Sequence, residues 1–211
     1  MSKKIVLFDM DGTLIDSSVD ITASVNYVRE NFYNIAPLSI KEVVDAINTP
    51  YLNLAYEFYG RDVYDSDAKA MFEEHYDSGC IKNISLYDGI LELLDKLKDG
   101  GVLMSVATNA PTAFAKKMTS HLQIDNYFDK IIGADMVKNP KPHPDMLKLL
   151  LDNYGYAPDS DKAWMVGDNI KDMHSARNAK IESIFVSWGF AEVDDYDYLS
   201  SHALELIDII L

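Results

Sequence analysis

The sequence predicts an α/β protein built on a doubly wound parallel sheet, with an all-helical segment inserted after the first strand. Short apolar runs of strand length recur along the chain, runs with helical spacing separate them, and one long stretch carries helical spacing alone. The first run, Ile5-Val6-Leu7-Phe8, is stopped by Asp9 and reads as a strand buried on both faces. Comparable runs follow at residues 102–107, 130–132, 163–166 and 183–186. Between them lie helical patterns at 89–99, 111–121, 144–154 and 170–179, each opened by a turn residue or a proline. The stretch 17–83 departs from this alternation. Ile21, Val25, Val28 and Phe32 stand at helical intervals, Leu52, Ala55, Tyr56 and Tyr59 continue the theme, and Ala68, Met71 and Phe72 close it. Two domains are therefore predicted: a sheet domain of residues 1–16 and 84–211, and a helical domain of residues 17–83. The acidic stretch Asp194-Asp195-Tyr196-Asp197-Tyr198 reads as a solvated turn before a final helix over 199–210.

The 211 residues combine 48% hydrophobic with 25% charged residues, a balance that fits a globular chain and neither a disordered nor a fibrous one. With 34 Asp and Glu against 19 Lys and Arg, the net charge of -15 repels nucleic acids and anionic membranes, so neither is expected as a partner. A phosphorylated metabolite meets the same repulsion. Any phosphate site must therefore create a local positive field from a metal ion, a lysine and backbone N–H groups. The single cysteine, Cys80, excludes an internal disulfide framework and fits a reducing compartment. Four apolar residues before Asp9 are too few for a signal-peptide core, and no apolar run is long enough to span a bilayer, so a cytoplasmic location is expected.

The chemistry lies in the polar residues that follow the apolar runs. Ligands of open parallel sheets bind beyond the carboxyl ends of the strands, where Asp9-Met10-Asp11-Gly12-Thr13 stands. Two carboxylates one residue apart suit magnesium, and Gly12 lets successive N–H groups turn toward an anion, although acidic pairs also occur in ordinary turns. Thr108-Asn109 follows the second run, where a hydroxyl and an amide near a helix start can donate to phosphate or simply cap that helix. Lys141 stands among Pro140, Pro142 and Pro144, either a point charge held on a preset backbone or a surface lysine in a stiff loop. Gly167-Asp168 ends another run and Asp172 follows four residues on. The two acids share a face if a helix begins at once, and serve either a magnesium site or the helix start itself.

Taken together and in order, Asp9-Met10-Asp11-Gly12-Thr13, Thr108-Asn109, Lys141-Pro142 and Gly167-Asp168 through Asp172 resemble the four motifs of the haloacid dehalogenase-like superfamily, with 17–83 similar to its cap. The resemblance implies a Rossmann-like core with Asp9 as nucleophile and Asp11 as general acid, then base. It also implies Mg2+ held by the Asp9 side chain, the Asp11 backbone carbonyl and Asp168, with Thr13 and Asp172 in support. Gly12, Thr108, Asn109 and Lys141 would hold the phosphoryl oxygens, and the cap would exclude water by closing about joins near 16–18 and 83–87. The run from Asp11 to Ser17, with Asp20-Ile21 and Tyr127-Phe128 before Gly133, is most similar to phosphoglycolate phosphatases and their pyrophosphatase relatives. Many such caps carry a glycine-rich substrate loop where this chain has Asn48-Thr49-Pro50-Tyr51, so Asn48, Thr49 and Tyr51 are the candidate leaving-group contacts. The expectation is a Mg-dependent phosphatase for a small phosphorylated metabolite such as phosphoglycolate, acting as monomer or homodimer. The alternatives are a pyrophosphatase, a phosphomutase similar to β-phosphoglucomutase, and a non-catalytic binding module. The intact motifs argue against the last.

Overall fold

The computed structural model describes residues 2–49 and 52–211. Its strands are β1 (Lys4–Phe8), β2 (Ile15–Asp16), β3 (Ser85–Leu86), β4 (Leu103–Ala107), β5 (Lys130–Ile132), β6 (Lys162–Gly167), β7 (Glu182–Val186) and β8 (Tyr198–Ser200). Among the described residues the α-helices α1 (Ser18–Asn31), α2 (Ile40–Asn48), α3 (Leu54–Tyr59) and α4 (Ser66–Gly79) precede β3. The α-helices α5 (Ile90–Asp99), α6 (Thr112–His121), α7 (Asp145–Tyr154), α8 (Ile170–Ala179) and α9 (Glu205–Ile210) follow it. The chain divides into two compact units, residues 1–16 with 86–211 and residues 17–85.

In the first unit a six-stranded sheet runs in the order β5-β4-β1-β6-β7-β8, with every pairing parallel. The α/β class and parallel sheet read from the sequence are therefore observed. Side chains alternate across a pleated strand. Ile5 and Leu7 of β1 thus join Ala163 and Met165 of β6 on one face, packed on Met146, Leu147 and Leu150 of α7 and Ala176 of α8. Val6 and Phe8 take the other face, where Phe8 meets Phe128 edge to face at 6.2 Å. The four apolar side chains of β1, Ile5 to Phe8, are fully buried, worth roughly 1.5–3 kcal/mol each, which explains a run without polar interruption.

One element differs from the expectation. Residues 199–210 do not form a single helix: Tyr198–Ser200 is strand β8, paired with β7, and α9 begins only at Glu205. The cause is local hydrogen bonding. The Asp197 carboxylate accepts from the Ser183 N–H at 2.8 Å and the Ser183 hydroxyl at 2.7 Å, pinning this segment against β7. Glu205 then accepts from the Ser201 N–H at 2.7 Å, so the polar residues 200–202 serve as the approach to a helix and not its first turn.

Among the described residues the second unit is built from α1 to α4 and ends on the first residue of β3. Its core gathers Val25, Val28, Val43, Ala46, Phe58, Tyr59 and Ala68. Phe32, Leu52 and Tyr56, which share the apolar spacing, are instead exposed; α1 ends at Asn31, one residue before Phe32. A capping box between Ser39 and Glu42 opens α2, and Asn53 and Asp65 cap α3 and α4. Among the described residues no helix is long and apolar enough to cross a membrane.

Candidate active site

The sheet order places β1 beside β6, although the chain visits β4 and β5 between them, so the connections reverse direction there. Such a switch point leaves a crevice at the carboxyl ends of the strands. Asp9 follows β1 at this edge, its N–H donating to the Val166 carbonyl at 2.8 Å. The chain then turns back, with the Leu14 N–H on Met10 O and the Gly12 N–H on Ile15 O, both at 2.9 Å. Gly12 adopts φ +81°, in the region that favours glycine. Met10 and Leu14, both fully buried, anchor the turn.

Lys141 reaches this edge from the loop after β5. Its Nζ lies 2.8 Å from Asp9 Oδ1 and 2.6 Å from Asp172 Oδ1, with the side chain 2% exposed. Both ends of the Asn109 amide hold the Lys141 backbone: Nδ2 donates to the Lys141 carbonyl at 2.9 Å, and Oδ1 accepts from its N–H at 3.0 Å. The Asn109 side chain, expected on a phosphate, thus positions Lys141. Thr108 is buried at the end of β4, and its hydroxyl oxygen accepts from the Ala110 N–H at 3.1 Å.

Beyond β6, Asp168 is buried, with Oδ1 accepting from the Thr13 hydroxyl at 3.2 Å and Oδ2 from the Phe190 N–H at 2.8 Å. Asn169 caps α8, so Asp172 falls in the first turn, where Oδ2 accepts from the Asn169 N–H at 3.1 Å. Gly167 permits this approach, since a Cβ there would lie 2.4 Å from Asp172 Cγ. Ligand atoms of Asp9, Asp168 and Asp172 all lie within 4.8 Å of one another, a group that could hold a metal ion. Asp172, expected only in support, belongs to this same group.

The electrostatics reflect this crowding. Burial and then the neighbouring Asp9 and Asp172 charges push Asp168 well above the usual carboxylate range, against the pull of the Phe190 and Thr13 donors. Burial and then Asp9 likewise raise Asp172, while Lys141 pulls it down. Burial would depress the Lys141 amine, but Asp172 and Asp9 together outweigh it and hold the group above its ordinary value. Three carboxylates that repel one another, two of them buried, fit a hard divalent cation, whose charge relieves the repulsion.

Asp11, at the start of the turn, is half-buried. Asn48 and Thr49 end α2 in the second unit, where Asn48 Nδ2 donates to the Val44 carbonyl and the Thr49 hydroxyl to the Asp45 carbonyl, at 3.0 and 2.7 Å. Tyr51 lies outside the described residues. Sequence reasoning gave no chemical role to three neighbours of the acid cluster, although Tyr87 falls in the expected join at 83–87. Lys171, beside Asp172, is half-buried and its amine is pulled down chiefly by burial. The Tyr87 phenol is pushed up by burial and then by Asp16, Asp168 and Asp11. Trp188-Gly189-Phe190 follows β7, and its position past a strand of the same sheet was the available signal.

The haloacid dehalogenase-like hydrolase family model matches residues 6–186. An N-acetylmuramic acid 6-phosphate phosphatase from Pseudomonas aeruginosa is 28% identical, covering 100% of this chain and 96% of that protein. A phosphoglycolate phosphatase from Colwellia psychrerythraea is 30% identical over 92% of this chain and 88% of its own length. Among solved structures, a haloacid dehalogenase-like hydrolase from Streptococcus pneumoniae superposes with TM-score 0.82 at 26% identity, covering 99% of each chain. The chain belongs to the haloacid dehalogenase-like hydrolases. Within that family it is a phosphatase, an enzyme that hydrolyses phosphate monoesters.

Proposed function

We propose that this phosphatase is magnesium-dependent and releases phosphate from a small organic monoester through an aspartyl-phosphate on Asp9. The observation that carries the reading is the Lys141 ammonium, bound at once to Asp9 and Asp172 in a buried site shared with Asp168. A lysine so placed fixes one Asp9 oxygen, leaves the other to attack phosphorus, and stands ready to share charge with the incoming phosphoryl group. Bound magnesium, held by Asp9, Asp168 and the Asp11 carbonyl with Asp172 and Thr13 in support, would neutralise charge on the phosphoryl oxygens. Asp11 protonates the leaving oxygen, then takes a proton from the water that cleaves the aspartyl-phosphate. Thr108 and the backbone N–H groups near Gly12 and Asn109 orient the phosphoryl group, while the Asn109 side chain keeps Lys141 in place.

The names of the relatives put phosphoglycolate and N-acetylmuramic acid 6-phosphate first among substrates to assay. Phosphate release from these two and from a panel of sugar phosphates, with magnesium and with chelator, is the decisive measurement. Metal-dependent release from at least one ester is expected, and none across the panel would reject the reading. Asp9→Asn removes the nucleophile and should lower kcat by several orders of magnitude without moving Tm far; retained turnover would remove Asp9 from its role. We propose further that the helical unit of residues 17–85 is a cap that selects the leaving group through Asn48, Thr49 and Tyr51. Asn48→Ala and Thr49→Val should then alter KM more than kcat, and unchanged KM across the panel would rule out both contacts.

A further inference from the structure

The geometry points to Trp188-Gly189-Phe190, the segment beyond β7, as a positioning element that aims the Asp168 carboxylate and so sets the affinity of the cation site. This rests on the metal reading of Asp168 given above. The carboxylate has one donor on each oxygen: the Thr13 hydroxyl at 3.2 Å on Oδ1 and the Phe190 N–H at 2.8 Å on Oδ2. Two donors from different parts of the chain fix the plane of the group, leaving its remaining lone pairs in set directions. The segment is also tied to the first of these donors, because the Trp188 indole N–H donates to the Thr13 carbonyl at 3.1 Å. Thr13, Asp168, Phe190 and Trp188 thus close a ring of contacts around one carboxylate.

Two glycines allow the ring to close. A Cβ on Gly189 would lie 2.3 Å from Asp168 Cβ and 2.4 Å from the Gly12 carbonyl oxygen, and a Cβ on Gly12 would lie 2.3 Å from Asp168 Oδ2 and 2.7 Å from Phe190 Cδ2. Gly12 is also required by its positive φ, whereas Gly189 is not among the positive-φ residues. Its need is for space alone, so a methyl group there acts through displacement of Asp168 or of the Gly12 turn and not through backbone strain.

Magnesium binding, measured by isothermal titration calorimetry on the full chain without substrate, tests the assignment. Gly189→Ala should weaken binding by about 10- to 100-fold, the range typical of residues that orient metal ligands. Trp188→Phe keeps an aromatic ring while losing the indole N–H that holds Thr13, together with part of the indole surface, and should weaken binding by about 2- to 10-fold, the range of one lost hydrogen bond. Because metal excess compensates weaker binding, kcat at saturating magnesium should recover more than kcat at limiting magnesium, a split that general loss of structure would not give. If Gly189→Ala does not fold, Trp188→Phe decides alone. Wild-type affinity in a folded Trp188→Phe or Gly189→Ala protein would overturn the assignment by itself. Failure of the wild-type chain to bind magnesium would overturn the metal reading and this assignment together.

Discussion

The Lys141 ammonium and the Asp9 and Asp172 carboxylates it joins are mutually dependent. With its side chain 2% exposed, the ammonium has little water to fall back on, and Asp172 at 1% has less. A buried pair brings little net stability, but deleting one member leaves the other uncompensated, at about 3–5 kcal/mol. Here one lysine serves two acids, so Lys141→Met exposes both to the repulsion already visible in the raised Asp168 and Asp172. Lys141→Met should therefore lower Tm, and should lower kcat/KM by at least the ~10²-fold expected for a lost charge-stabilising donor. Thermal melts and phosphate-release kinetics on the same preparation separate the two effects. A variant that keeps full turnover would show that the phosphoryl group never meets this lysine.

Titration of one side chain belongs to the energetics of the helical unit. His75 of α4 has Nδ1 2.9 Å from the buried Ser24 hydroxyl of α1, and its ring stacks on Tyr27 at 4.2 Å between centroids. Burial, and then the Lys82 charge, lower its pKa from the ordinary 6.5. A histidine depressed in the fold binds its proton more readily once unfolded. Its contribution is complete above the unfolded value and is lost as pH falls through the folded one. Wild-type Tm should thus drop more steeply than that of His75→Gln between about pH 7.5 and 5. Parallel profiles would mean that the ring is indifferent to its setting. Elements on this scale were legible where one physical cause dominates the local sequence. β1 is apolar because both of its faces are buried, and α7 opens after Pro144 and ends at Gly155 in a left-handed cap. β8 was not legible, because three residues show no period, and their pairing depends on Asp197 reaching Ser183, fourteen positions away. The acids and Lys141 of the site announced themselves by residue type. The Phe190 contact with Asp168 did not, because its donor is a backbone N–H that any residue but proline supplies.

Over the whole molecule, a net charge of -15 acts in opposite senses on the two components of the proposed reaction. An anionic ester is repelled at long range, whereas a divalent cation is drawn toward the protein and then into the group formed by Asp9, Asp168 and Asp172. A cation that binds the folded chain and not the unfolded one stabilises it by about 2.7 kcal/mol at 100 times Kd. For a chain of this size each kcal/mol moves Tm by about 2–4 °C, so saturating magnesium should raise Tm by about 5–10 °C. The increment should shrink as monovalent salt screens the field, because the long-range part of the attraction falls off over about 8–10 Å near physiological ionic strength. Asp168→Asn removes one carboxylate charge from the group and should abolish most of the rise while lessening the repulsion in the metal-free protein. Its Tm without magnesium should therefore equal or exceed that of the wild type. A magnesium-induced rise of the same size in wild type and Asp168→Asn would place the bound cation elsewhere on the acidic surface, and no rise in either would remove the ion from the site.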